Sequence, residues 1–157
     1  MTTVITGDEE HFDPRNPEGA LIEFYRAYNS RDLTLMEANW ASEEATIYHQ
    51  LGGTRLGWEE IRELYDQTFQ GPAGAQMTLQ DYQIIRFSDS FTVLGTERGI
   101  LRTQKDVLDF RIRTTRLFAW RGGRWRQIHH HGSIEEPELL AQYLTLVLTG
   151  QSAPALA

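Results

Sequence analysis

The apolar positions follow a helical period at both ends of the chain and a strand period in the middle. Asn16-Pro17-Glu18 reads as a helix start, with Asn as N-cap, Pro at the first helical position and an acid in the first turn. Leu21, Phe24, Tyr25 and Tyr28 follow at helical spacing and form one apolar stripe. Asn29-Ser30-Arg31-Asp32 breaks this pattern, and Asp32 caps a second, short helix running to about Trp40, with Leu33, Met36 and Trp40 on its buried side. Ala45-Thr-Ile-Tyr-His49 is short and β-prone, and Leu51-Gly52-Gly53 turns the chain after it. Gly57-Trp58-Glu59-Glu60 opens a third helix with Trp58, Ile61, Leu64, Tyr65 and Phe69 on its apolar face. Gly71-Pro72-Ala73-Gly74 ends it.

From Gln76 to Ser133 the spacing predicts four strands, near 76–87, 91–103, 107–120 and 124–134. Ser88-Asp89-Ser90, Gln104-Lys105-Asp106 and Arg121-Gly122-Gly123 supply the turns, the last being the clearest hairpin signal because two glycines accept positive φ. Short turns between successive strands make an antiparallel meander. Glu135-Glu136-Pro137-Glu138 then starts a terminal helix with Leu139, Leu140, Tyr143, Leu144 and Val147 as its apolar face. The expected fold is α+β: a strongly curved antiparallel sheet, N-terminal helices packed on its concave face, and an extra C-terminal helix. Residues 1–15 read as a flexible tail, 16–149 as one domain and 150–157 as a second flexible tail. A concave sheet closed by helices leaves an interior suited to a small ligand.

Composition narrows the chemistry. The 157 residues carry 15 Lys+Arg against 22 Asp+Glu, a formal charge of −7, which argues against a phosphate-binding surface and so against nucleic acid as a partner. Cys is absent, so thiolate metal sites, disulfides and a Cys nucleophile are excluded. No apolar run approaches the roughly 18 residues of a membrane span, and the N-terminus lacks a signal peptide's basic and apolar regions. The expectation is a cytoplasmic protein with no membrane partner. The acids concentrate in the N-terminal segment and helix starts, whereas strand residues 98–126 are basic. An anion is therefore the first ligand to look for.

Three segments carry a family resemblance: Phe24-Tyr-Arg-Ala-Tyr-Asn-Ser-Arg-Asp32-Leu; Ala45-Thr-Ile-Tyr-His-Gln-Leu-Gly-Gly with Gly57-Trp-Glu-Glu-Ile; and Arg124-Trp-Arg-Gln-Ile-His-His-His-Gly-Ser133. With this order of elements, residues 17–134 resemble the NTF2-like superfamily, also called the SnoaL-like or cystatin-like α+β cone. The final hairpin is also similar to the association domain of calcium/calmodulin-dependent kinase II. The superfamily hosts isomerases, dehydratases, cyclases, transport factors and assembly domains, so the fold alone does not give a function.

Among these, the resemblance to ketosteroid isomerase places His49 where that enzyme carries its base, and an imidazole there is competent near neutrality. The position of its oxyanion tyrosine falls on Phe24, although Tyr25 and Tyr28 are close. The region of its buried acid holds Arg111, Arg113 and Thr114. A steroid isomerase is therefore not expected.

His129-His130-His131 is the most conspicuous motif. Strict alternation sets His129 and His131 on one strand face with Trp125 and Gln127, and His130 on the other with Arg126 and Ile128. The resemblance to ketosteroid isomerase implies that Ile128, His130 and Gly132 face the pocket. Trp125, His129 and His131 are then expected at a dimer interface on the outer face of the sheet. No metal site and no cofactor is expected. The ligand-binding candidates are Tyr25, Tyr28, Trp40, Trp58, Arg98, Arg113 and His130; His49 is the catalytic candidate.

Two functions follow. One is a homodimeric protein that binds a small molecule and is of SnoaL-like type, with cofactor-independent proton transfer of the isomerase, dehydratase or cyclase kind. The other is a non-catalytic association module similar to the kinase domain.

Overall fold

Seven strands form one sheet in the order β1-β4-β5-β6-β7-β2-β3, and four helices pack against it. This computed structural model describes residues 3–42, 44–49 and 53–150, the side chain of His49 excepted. The elements in chain order are β1 (Val4–Ile5), α1 (Pro17–Ser30), α2 (Leu33–Asn39), β2 (Thr46–His49), β3 (Gly53–Leu56) and α3 (Gly57–Gln70), then β4 (Gly74–Arg86), β5 (Ser90–Arg102), β6 (Val107–Arg121), β7 (Arg124–Ser133) and α4 (Pro137–Thr149). The four long strands, the helices and the curved α+β arrangement match the expectation from sequence. All neighbouring strands are antiparallel except β2, which runs parallel to β7. That pairing brings Ile47 beside His130.

Helix ends follow local chemistry. Pro17 opens α1, and Arg31 closes it in the left-handed conformation at φ 56°. The Arg31 guanidinium then donates to the carbonyls of Phe69 and Ala73, tying the end of α1 to the end of α3. Asp32 caps α2 by accepting from the Leu35 amide at 3.0 Å. The β6–β7 hairpin turns through Gly122 and Gly123, both at positive φ.

Helices α1, α2 and α3 cover the concave face, and α4 packs on β6. Their apolar stripes meet inward-facing strand residues in one core that includes Leu21, Phe24, Ile47, Ile61, Leu79 and Phe118. Phe91 stacks on Phe118 with ring centroids 4.7 Å apart, and Trp125 meets Phe91 edge-on at 5.0 Å.

Two features depart from the sequence reading. Residues 3–15 are not a loose tail. Strand β1 pairs with β4, Ile5 is buried, Arg26 donates to the Gly7 and Glu9 carbonyls, and the Trp125 amide donates to Pro14. The second departure is a bulge in β7. Leu117 pairs with His129 but Phe118 pairs with Gln127, so Ile128 is the extra residue. The alternation therefore slips by one position: Trp125 and Gln127 face inward, and so do His130 and Gly132. Residues 151–157, within the expected C-terminal tail, lie outside the described residues.

Candidate functional site

The cone contains a cavity of about 420 Å³. Its apolar walls come from both layers, among them Phe24 and Leu64 from helices and Met77, Leu101 and Ile112 from strands. Polar and charged side chains also reach it, among them Tyr28, Arg55, Glu97, Arg116, His130 and Tyr143.

At its base sits an ion pair. Glu97 and Arg116 occupy inward positions on β5 and β6, where the neighbouring inward residues carry no charge. Arg116 Nη2 donates to Glu97 Oε1 at 2.7 Å, and both side chains are 1% exposed. Tyr25 Oη donates to the same oxygen at 2.9 Å. Both bonds use Oε1. Arg116 Nη1 donates to Gln127 Oε1 at 2.7 Å, and its guanidinium carbon lies 3.7 Å over the Phe24 ring. Burial opposes the charge on Arg116, but Glu97 and the Tyr25 and Tyr65 phenols outweigh it, so this arginine stays firmly protonated.

The polar chain continues outward. Gln127 Nε2 donates to Asn39 Oδ1 at 3.2 Å, Asn39 Nδ2 donates to Glu23 Oε1 at 2.9 Å, and Arg124 pairs with Glu23. A connected chain of this kind satisfies buried groups that would each be costly alone.

Four tyrosines surround the ion pair. Tyr28 and Tyr143 share a hydrogen bond. Burial, together with the Glu97 charge, pushes Tyr143 up to about 12 and holds Tyr25, Tyr28 and Tyr65 well above their ordinary value. These phenols are therefore protonated donors at neutral pH. His130 Nε2 lies 2.8 Å from Thr114 Oγ1, which fixes the ring. Gly132 leaves room for it, since a Cβ there would come within 3.3 Å of the imidazole. Among the described residues no cluster of His, Asp and Glu side chains is arranged to hold a metal ion.

The SnoaL-like domain profile matches residues 18–136. The chain belongs to this SnoaL-like family. Solved structures agree in fold. A Streptomyces avermitilis protein of the NTF2-like family, named for dehydratase activity, superposes with a TM-score of 0.68 at 18% identity over 74% of this chain and 91% of its own. A Thiobacillus denitrificans protein named as a kinase type II association domain gives 0.62 at 24% identity over 81% and 100%. A ketosteroid isomerase-like protein from Erwinia carotovora atroseptica gives 0.64 at 20% identity over 76% and 94%. At these identities the likeness is one of fold. No functionally curated protein matches the chain.

Within this SnoaL-like domain the residues singled out by sequence separate into groups. Tyr28 and His130 line the cavity, and Tyr25 lies beneath it on Glu97. Trp40 and Trp58 are core residues and do not line it. Arg98 and Arg113 point away from the cone. Arg98 is exposed beside Asp109 and Arg111 in an open depression on the other face, and Arg113 is held at Ser133 and Glu135. Outward parity on β5 and β6 explains both. Trp125, expected at an interface, is a core residue at 3% exposure, because the bulge separates it from the face of its histidine neighbours. His129 and His131 do lie on the outer face. His129 Nδ1 is 2.7 Å from Thr46 Oγ1, and His131 meets the Tyr48 ring edge-on at 5.7 Å. His49 ends β2, and its side chain lies outside the described residues.

Glu97, Arg116, Arg55, Gln127 and Tyr143 were not among the sequence candidates. For two of them a signal was present. In the runs Phe91–Leu101 and Phe110–Phe118, Glu97 and Arg116 are the charged residues at positions whose parity is otherwise uncharged. Charges at core parity call for each other.

Proposed function

We propose that this domain binds a small, largely apolar carbonyl compound in the cone and moves a proton on it without a cofactor. The observation that carries this reading is the cavity itself: an apolar chamber with His130, three protonated phenols and a neutralised ion pair on its walls. Ordinary imidazole titrates near neutrality and so accepts and returns a proton at low cost. His130 would take a proton from the carbon beside the carbonyl, leaving the electron pair on the carbonyl oxygen. Tyr28 or Tyr143 would donate to that oxygen as its charge grows. Returning the proton to another carbon completes an isomerisation; expelling a β-hydroxyl as water completes a dehydration. Neither route requires an oxidant.

The test is deuterium incorporation from heavy water into a panel of small cyclic ketones, followed by NMR. His130→Phe should slow exchange by roughly 10²–10⁴-fold. His49→Gln, assayed in parallel, decides which of the two imidazoles carries the proton. Unchanged exchange in His130→Phe would overturn the assignment to His130.

A further inference from the structure

We propose that the ligand of this cavity carries a carboxylate and that Arg55 is its anchor. This rests on the cavity reading above and gives its ligand a chemical class. The charged residues lining the chamber are Arg55, Glu97 and Arg116. In a chain of net charge −7, this chamber holds two guanidiniums against one carboxylate. Glu97 is already committed to Arg116 at 2.7 Å.

Arg55 is left over. It is partly buried on β3 and forms no ion pair or hydrogen bond among the described residues. Its Nε is shut off from solvent and has nothing to donate to among the described residues. A guanidinium taken partly out of water without a partner costs free energy, which a bound carboxylate would recover through two parallel hydrogen bonds.

The strand register says how such a ligand would lie. Arg55 pairs with Ile47, Ile47 with His130, and His130 with Arg116. These four residues form one row across the sheet. With strands about 4.8 Å apart, the backbone of Arg55 lies about 10 Å from that of His130. A fully buried Ile47 lies between them. A carboxylate at Arg55 would lay its apolar middle along the chamber wall and bring the far end to His130. Arylalkyl and arylalkenyl carboxylates have this shape.

The experiment compares cinnamate with cinnamamide, which has the same shape and no charge. Both are titrated calorimetrically into the full chain, with the His130 imidazole resonances followed by NMR. Cinnamate should bind at least ten-fold more tightly than the amide. Arg55→Gln should weaken cinnamate by roughly ten- to hundred-fold, to the level of the amide, and leave the amide unchanged. Arg55→Lys should restore part of the loss. Added salt should weaken the acid and spare the amide, a readout that needs no variant. Equal affinity for acid and amide, both moving the His130 resonances, would overturn the carboxylate assignment while the cavity reading stood. If neither ligand moves those resonances, both readings fall.

Discussion

Arg116 and Glu97 meet at 2.7 Å inside the cone with both side chains 1% exposed. A pair this deep is weak evidence for stability as such, because removing two charges from water offsets most of their attraction. Losing one member is different, since the other is stranded. Glu97→Leu or Arg116→Met alone should therefore destabilise by about 3–5 kcal/mol. The double variant should lose much less than the sum. Urea denaturation of the four members of the cycle measures this, and additive losses would show that the two side chains act independently.

Trp125 separates two pictures of the last hairpin. It packs edge-on against Phe91 at 5.0 Å and Trp120 at 5.1 Å within one chain. Trp125→Ala should cost about 3–5 kcal/mol, as for a large aromatic removed from a core. The cost should not vary with protein concentration. His131→Ala, on the exposed outer face, should stay within about 0.5 kcal/mol. A concentration-dependent loss at Trp125 would return it to an interface.

The order of elements was legible because its signals are local. Pro17, Asp32, Gly71-Pro72 and Gly122-Gly123 punctuate the chain, and the period changes between them. The site was less legible, for two physical reasons. The bulge at Ile128 depends on how β7 meets β6, so simple alternation assigned Trp125 to the wrong face. The parallel pairing of β2 with β7 joins segments about eighty residues apart, and it alone brings Arg55 into the row of His130. The N-terminal strand was missed because two residues, Val4 and Ile5, carry too little pattern to distinguish from a tail.

Gly19 tests how firmly that N-terminal segment is held. It lies in α1, where replacement by Ala would ordinarily stabilise by about 1 kcal/mol. Here a Cβ would stand 1.8 Å from the Asp13 carbonyl oxygen. The backbone of 13–16, closed by the Asn16 amide donating to Asp13, would have to leave the helix. Gly19→Ala should therefore lower the melting temperature and make residues 3–15 a target for limited proteolysis. A rise in melting temperature would show that the segment contributes little.

His129 makes the outer face sensitive to pH. Burial lowers its pKa below the ordinary 6.5, and the neighbouring His131 lowers it further. In the unfolded chain neither influence acts. As pH falls, the unfolded state takes up the proton first, so the native state loses relative stability. The contribution of His129 is therefore complete above the unfolded value of 6.5 and drains away as pH falls through the lower folded value. His129→Gln keeps a polar group near Thr46 Oγ1, the 2.7 Å partner of Nδ1, and removes the titration. Between about pH 7 and pH 5 its stability should fall less steeply than that of the wild type. Parallel urea midpoints at matched ionic strength measure the two slopes, and equal slopes would show that His129 is as free to protonate in the folded chain as in the unfolded one.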